Sequence, residues 1–244
     1  MRNVKVVVEY DGTDYHGFQF QPGVPTIQGE LERVLGKIVK ERVTVYGSGR
    51  TDAGVHAAGQ VINFRTRGSI PTSRLCVAMN SLLASGIAAV EATEVEGDFH
   101  ARYSARSRLY RYDILNREMP SALAGRFCWH VNRALDVEAM STAAECIVGV
   151  HDFSSFWCAK GDDHCPIRDM MSVDIRRCGE HVIIEMRANA FLRSMVRVIV
   201  GTLVDMGLGR LPGGVMGDIL EARDRQAGGR TAPPQGLCLV EVEY

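Results

Sequence analysis

Apolar positions along the chain alternate between two rhythms. Val4-Lys5-Val6-Val7-Val8-Glu9-Tyr10 is β-branched and largely apolar, which predicts a buried strand ended by Asp11-Gly12-Thr13. The spacing then lengthens, with Ile27, Leu31, Val34, Leu35, Ile38 and Val39 recurring at helical intervals behind Pro25-Thr26. This predicts a helix with Thr26 as its N-cap. Val43 to Tyr46 and Gln60 to Phe64 read as strands, Thr72 or Ser73 to about Leu83 as a helix, and Ile87 to Val95 as a strand.

The second half repeats the same grammar. Ser107 to Ile114 alternates with period two, placing Tyr110 and Tyr112 on one side and Leu109 and Arg111 on the other. Asp136 caps a predicted helix to Val148, and Met171–Arg177 and His181–Arg187 form a hairpin through Cys178-Gly179-Glu180. A long helix is expected from Phe191 to about Met206, a short one near Gly217 to Arg223, and a closing strand from Leu237 to Tyr244. The pattern predicts an α+β fold of two similar halves, 1–105 and 106–244. They would share a central, mostly antiparallel sheet with helices on one face and a cleft between the halves.

Composition narrows the class without changing this picture. With 46% hydrophobic and 23% charged residues, the 244-residue chain has the profile of a globular protein with a sizeable core. It lacks an apolar run of membrane-spanning length, and its N-terminus enters a strand without a signal-peptide pattern. Seven scattered cysteines without CxxC spacing suit reduced thiols, so a cytoplasmic location is expected. The net charge of −1 conceals a segregation. Glu91, Glu94, Glu96 and Asp98 precede Arg102, Arg106, Arg108, Arg111 and Arg117, which predicts a basic face able to follow phosphates.

Three stretches carry candidate chemistry. Gly47-Ser48-Gly49-Arg50-Thr51-Asp52-Ala53-Gly54-Val55-His56 sets a carboxylate, a guanidinium and a hydroxyl side by side between two strands. Its spacing alone suits an Asx turn, yet it carries more functional groups than a turn requires. It fits neither a dinucleotide nor a P-loop fingerprint. Asp14 to Gln21 mixes aromatics and amides, as an edge loop or as a surface that stacks on unpaired bases. Arg193 and Arg197, four apart in the apolar helix, either pair with a carboxylate, which would hold Asp52 ionised and oriented, or reach solvent by snorkelling. His151, Cys158, His164 and Cys165 do not have structural zinc spacing, and no metal is expected.

Taken together, six segments resemble the successive motifs of the bacterial tRNA pseudouridine synthases of the TruA family. They are Tyr10-Asp11-Gly12-Thr13 with Gly17-Phe18-Gln19, Gly49 to Ala57, Phe99-His100-Ala101-Arg102, Arg108 to Tyr112, His151-Asp152-Phe153, and Ala190 to Arg197. They run in order over essentially the whole chain, and the nine-residue match around Asp52 is the most specific. Phe18 stands where the family usually has tryptophan, and Ser85-Gly86-Ile87 replaces a more acidic stretch.

The resemblance implies isomerisation of uridine to pseudouridine in the anticodon stem-loop of tRNAs by a homodimer, without cofactor or metal. It implies Asp52 as the catalytic aspartate, Tyr110 beside the flipped base, and Arg197 as the partner of Asp52. It also implies Arg50 in extrusion of the nucleotide and Leu237 packed against the target base. Two rival readings are an RNA-binding protein without catalysis and an N-glycosidase that releases uracil.

Overall fold

The computed structural model describes residues 1–158 and 165–244. The chain forms two compact units, Met1–Arg106 with Leu239–Tyr244, and Ser107–Cys238. The sequence division at 105/106 had grouped the whole last strand with the second half, whereas its final residues pack with the first unit.

The first unit is built on β1 (Arg2–Tyr10), followed by α1 (Ile27–Val39), β2 (Val45–Gly47), β3 (His56–Thr66), α2 (Thr72–Asn80) and β4 (Ile87–Val95). β1 lies antiparallel between β4 and β3, and β2 pairs with β3. Val4, Val6 and Val8 of β1 and Ile62 and Phe64 of β3 are buried, as their period-two spacing requires. α1 buries Ile27, Leu31, Val34 and Leu35. Its first turn is closed by the Thr26 hydroxyl, which accepts from the Gly29 amide at 3.3 Å, a cap worth about 1 kcal/mol. Asn3 and Asn63, buried on the opposite face, join strands to the following loop through side-chain amides.

The second unit contains β5 (Ser107–Asn116), β6 (Trp129–Val131), α3 (Val137–Ala144), β7 (Gly149–Asp152), β8 (Ile167–Cys178), β9 (His181–Ala188), α4 (Met195–Gly207) and α5 (Val215–Ala222). The strand order is β5-β9-β8-β7, all antiparallel, with the short β6 parallel to β5. The predicted hairpin forms, and Gly179 takes a φ of 61° at its turn, a left-handed conformation that glycine adopts without strain. Asp136 caps α3 by accepting from the Ala139 amide at 3.0 Å. The last strand, β10 (Leu237–Glu243), begins in this unit, and its later residues lie beside β3 in the first unit.

The mixed α/β class and the mostly antiparallel pairing agree with the sequence reading. Two details differ. α3 ends at Ala144 and gives way to a 3-10 turn over Glu145–Ile147. α4 starts at Met195 rather than Phe191, because the backbone turns left-handed at Ser194, with φ 59°. No helix among the described residues is long and apolar enough to cross a membrane.

Candidate active site

The loop carrying Asp52 is held from below by a buried polar network. The Tyr10 hydroxyl, on the last residue of β1, lies 2.8 Å from the Thr51 hydroxyl. Gln60 donates to the Gly49 carbonyl at 2.9 Å and to the Tyr10 oxygen at 3.3 Å, and accepts from the Ser48 hydroxyl at 2.6 Å. Gln60, Ser48 and Thr51 are all buried. Main-chain bonds complete the clamp, with the Phe18 amide donating to Thr51 at 3.0 Å and the Ser48 amide to Val61 at 2.8 Å.

Two glycines let the neighbouring Asp11–Gln21 loop come this close. A Cβ on Gly12 would lie 2.0 Å from the Val55 carbonyl oxygen. Gly17, at φ 92°, faces the Thr51 carbonyl and the Ala53 amide. His56 is drawn into the same junction, its Nδ1 accepting from the Gly12 amide at 3.1 Å. The same Nδ1 lies 3.2 Å from the Asp11 carboxylate, so His56 joins the two loops. The outcome is a loop whose underside is fixed, with Asp52 half-buried and Arg50 exposed at its tip.

The second unit assembles the other expected residues around α4. Arg197 donates from Nε to the Ala232 carbonyl at 2.8 Å, while the Ala232 amide donates back to the Arg197 carbonyl at 2.9 Å. This bracket fixes the guanidinium direction and locks the loop before β10 onto the helix. Gly201 permits the approach, since a Cβ there would sit 1.8 Å from the Arg230 carbonyl oxygen. The same loop is tied to β5 by Tyr112, whose hydroxyl donates to the Pro233 carbonyl at 2.7 Å. Burial pushes the Tyr112 phenol well above its ordinary range, so it stays a neutral donor. Gly236 lies against the Tyr112 ring, which places Leu237, itself buried, directly after it. Tyr110 shares the buried face of β5 with Tyr112 and packs edge-on against Phe191, with ring centroids 5.1 Å apart.

Arg50 and Asp52 thus lie in the first unit, and Tyr110, Arg197 and Leu237 in the second. Arg193 is a correction: it precedes α4, is exposed, and does not share a helix face with Arg197. The basic stretch is another. Arg108 is buried and donates to the Asn189 carbonyl at 2.6 Å, while Arg111 and Arg117 meet Glu185 and Glu180, each at 2.8 Å. Arg108 is taken up within the fold, while Arg111 and Arg117 form ion pairs at the surface.

Sequence reasoning also missed the supporting roles of Gln60 and Ser48. A glutamine within an apolar strand was the available signal, because a buried amide requires partners. Among the described residues no group of three His, Cys, Asp or Glu side chains converges on a metal-sized site. His151 bonds the Val148 carbonyl and Cys158 the Thr231 hydroxyl, while His164 lies outside the described residues.

Comparison with known proteins identifies the family. A family model described as tRNA pseudouridine synthase matches residues 6–104 and 143–244. The curated tRNA pseudouridine synthase A of Thermoanaerobacter sp. (strain X514) is 45% identical over 244 residues, covering 100% of both chains. That of Acetivibrio thermocellus is 44% identical over the same span, and that of Halalkalibacterium halodurans 45% identical over 97% of this chain and 90% of its own. A solved Cbf5-Nop10-Gar1 complex covers 96% of this chain and 57% of its own at TM-score 0.35 and 10% identity, too distant to bear on the fold. With full-length relatives at this level of identity, and a family model that matches most of its length, the chain belongs to the tRNA pseudouridine synthase family.

Proposed function

We propose that this isomerase, which converts uridine to pseudouridine in tRNA, acts in the anticodon stem-loop with Asp52, Tyr110 and Arg197 as its catalytic residues. The observation that carries the assignment of Asp52 is the clamped loop. Its carboxylate is half-exposed on a backbone held by Tyr10, Gln60 and Ser48, which is the rigidity a positioned nucleophile or base requires.

A uridine stacked in a helical arm must first leave the stack, at a cost of about a few kcal/mol. Exposed Arg50 is suited to hold the displaced backbone. The C1′–N1 bond then breaks with its electron pair passing to the uracil ring. Asp52 either bonds to C1′ or takes the C2′ proton, and both routes need it ionised. After the ring rotates, C5 bonds to C1′ and the carboxylate is regenerated. The C5 proton leaves and N1 acquires one, so no atom is lost or gained.

Arg197 would keep Asp52 charged, while Tyr110 and Leu237 flank the base. Tyr110, packed edge-on against Phe191 on the buried face of β5, is suited to holding the base. No cofactor enters this sequence of steps. The seven free cysteines suit a reducing cytoplasm, and by its family resemblance the enzyme would work as a homodimer.

The test is to treat unmodified tRNA transcripts with the full-length protein and map pseudouridine by position. Conversion confined to the anticodon arm with unchanged tRNA mass is expected; free uracil and abasic tRNA would establish the glycosidase instead. Arg197→Met is expected to lower kcat about a hundredfold while the Kd for tRNA moves less than about threefold. Equal losses in both would remove the proposed partnership with Asp52. Arg50→Ala should cost less on a substrate whose target uridine is already unpaired, and an identical loss on paired and unpaired substrates would discard the flipping role.

A further inference from the structure

A second surface of the first unit lies on the sheet face opposite α1 and α2. Tyr46 of β2 and Lys5 of β1 are both cross-strand partners of Asn63, so all three side chains share that face. The segment after β4 is laid across it and pinned by two buried asparagines. Asn3 donates to the Phe99 and Glu96 carbonyls, each at 2.9 Å, and to complete the junction Asn63 accepts from the Ala101 amide at 2.9 Å. Residues 100–104 then form one tight turn, in which the Ser104 amide donates to the His100 carbonyl and the His100 amide to the Ser104 hydroxyl.

The turn sets the half-buried His100 between Tyr46 and the exposed Tyr103. The Tyr46 and His100 ring centroids are 4.9 Å apart, and those of His100 and Tyr103 4.5 Å. This is a run of three rings open at its two ends: Tyr103 is 77% exposed and Tyr46 43%, with His100 half-buried between them. The Arg102 guanidinium lies 5.8 Å from the Tyr103 ring centroid, and Arg65 reaches the neutral Gly97 carbonyl beside them. Burial, reinforced by these two arginines, lowers the His100 pKa, so the middle ring is neutral at physiological pH. Glu96 and Asp98 line a depression with Phe99 and Ser104, which repels phosphate and leaves the arginine side for a backbone.

Ordered, solvent-open aromatics with cations along one edge are the means by which proteins hold single-stranded nucleic acid. Each ring offers a stacking surface to a base, and the guanidiniums meet the phosphates. We propose that Tyr46, His100 and Tyr103 form a stacking platform for unpaired nucleotides of the tRNA substrate, separate from the residues that act on the target uridine. Tyr46 stands at the root of the Asp52 loop, immediately before Gly47. The platform is therefore continuous with the strand that carries the loop, and it would hold nucleotides near the modified one. The proposal rests on tRNA being the substrate.

The test compares Tyr103→Ala and Tyr103→Phe with the unaltered full-length protein, using an unmodified tRNA transcript. Because the side chain is exposed, neither substitution should disturb folding. The alanine variant should bind the tRNA about tenfold more weakly and raise KM to match, with kcat within about twofold, whereas phenylalanine should keep near-normal affinity. Unchanged affinity in the alanine variant, an equal loss in both variants, or a loss confined to kcat would overturn the platform. The unaltered protein separates the two ideas: if it binds tRNA but makes no pseudouridine, the functional reading fails, while the affinity comparison still decides the platform.

Discussion

Asp52→Asn is expected to lower pseudouridine formation by about a thousandfold or more, with tRNA affinity kept within a few-fold. The substitution preserves the shape of the side chain and removes only its charge. The loop backbone is fixed through Thr51, Gly49 and Ser48, which bond to Tyr10, Gln60 and the Val61 carbonyl, and the amide keeps that scaffold. An amide cannot form the bond to C1′ as a leaving carboxylate, nor remove a C2′ proton, so both chemical routes are closed together. Binding should persist, because it is distributed over many phosphate and base contacts. The measurement is single-turnover pseudouridine formation alongside direct tRNA binding. Turnover near that of the unaltered protein would rule out a chemical role for Asp52 and return the loop to the simple turn its spacing suggested. Parallel loss of binding would assign it to substrate recognition.

What could be read from the sequence follows from how local each signal is. The helix at Ile27–Val39 and the strand at Arg2–Tyr10 were legible because capping and periodicity are written within a few residues. The alternation through Tyr110 and Tyr112 likewise set the two tyrosines on one side of β5, and folding buries that side. β6 and β7 were missed because strands of three and four residues are defined by their partners and have too little pattern of their own. The start of α4 was misplaced because Phe191 and Leu192 continue an apolar helical pattern, while packing on Tyr110 and the left-handed turn at Ser194 keep them out of the helix.

The arginine cluster shows the same limit in the site. Arg111 and Arg117 looked available because their partners, Glu185 and Glu180, are 74 and 63 residues away. Asp52 was conspicuous because its neighbours in sequence are also polar. The groups that hold its loop, Tyr10 and Gln60, come from two strands and are joined only by folding.

Gly12→Ala tests whether that clamp, and not only the carboxylate, is required. Gly12 has ordinary backbone angles for any residue, so its necessity lies in space: the added methyl would fall 2.0 Å from the Val55 carbonyl oxygen. The obstacle is main chain on both sides, so no side chain can rotate away, and either the Asp11–Gln21 loop or the Asp52 loop must shift. Retreat would also stretch the bond from the Gly12 amide to His56 Nδ1, now 3.1 Å. An overpacked contact of this kind costs about 1–3 kcal/mol, which a domain with a large core survives. The larger effect falls on catalysis, because displacing a reactive group by about 1 Å can reduce rate about a hundredfold. The expected result is a folded protein with a lowered Tm, nearly unchanged tRNA affinity, and kcat down about a hundredfold. A variant that loses stability yet keeps its kcat would show that Asp52 tolerates displacement and that the network beneath it serves folding alone.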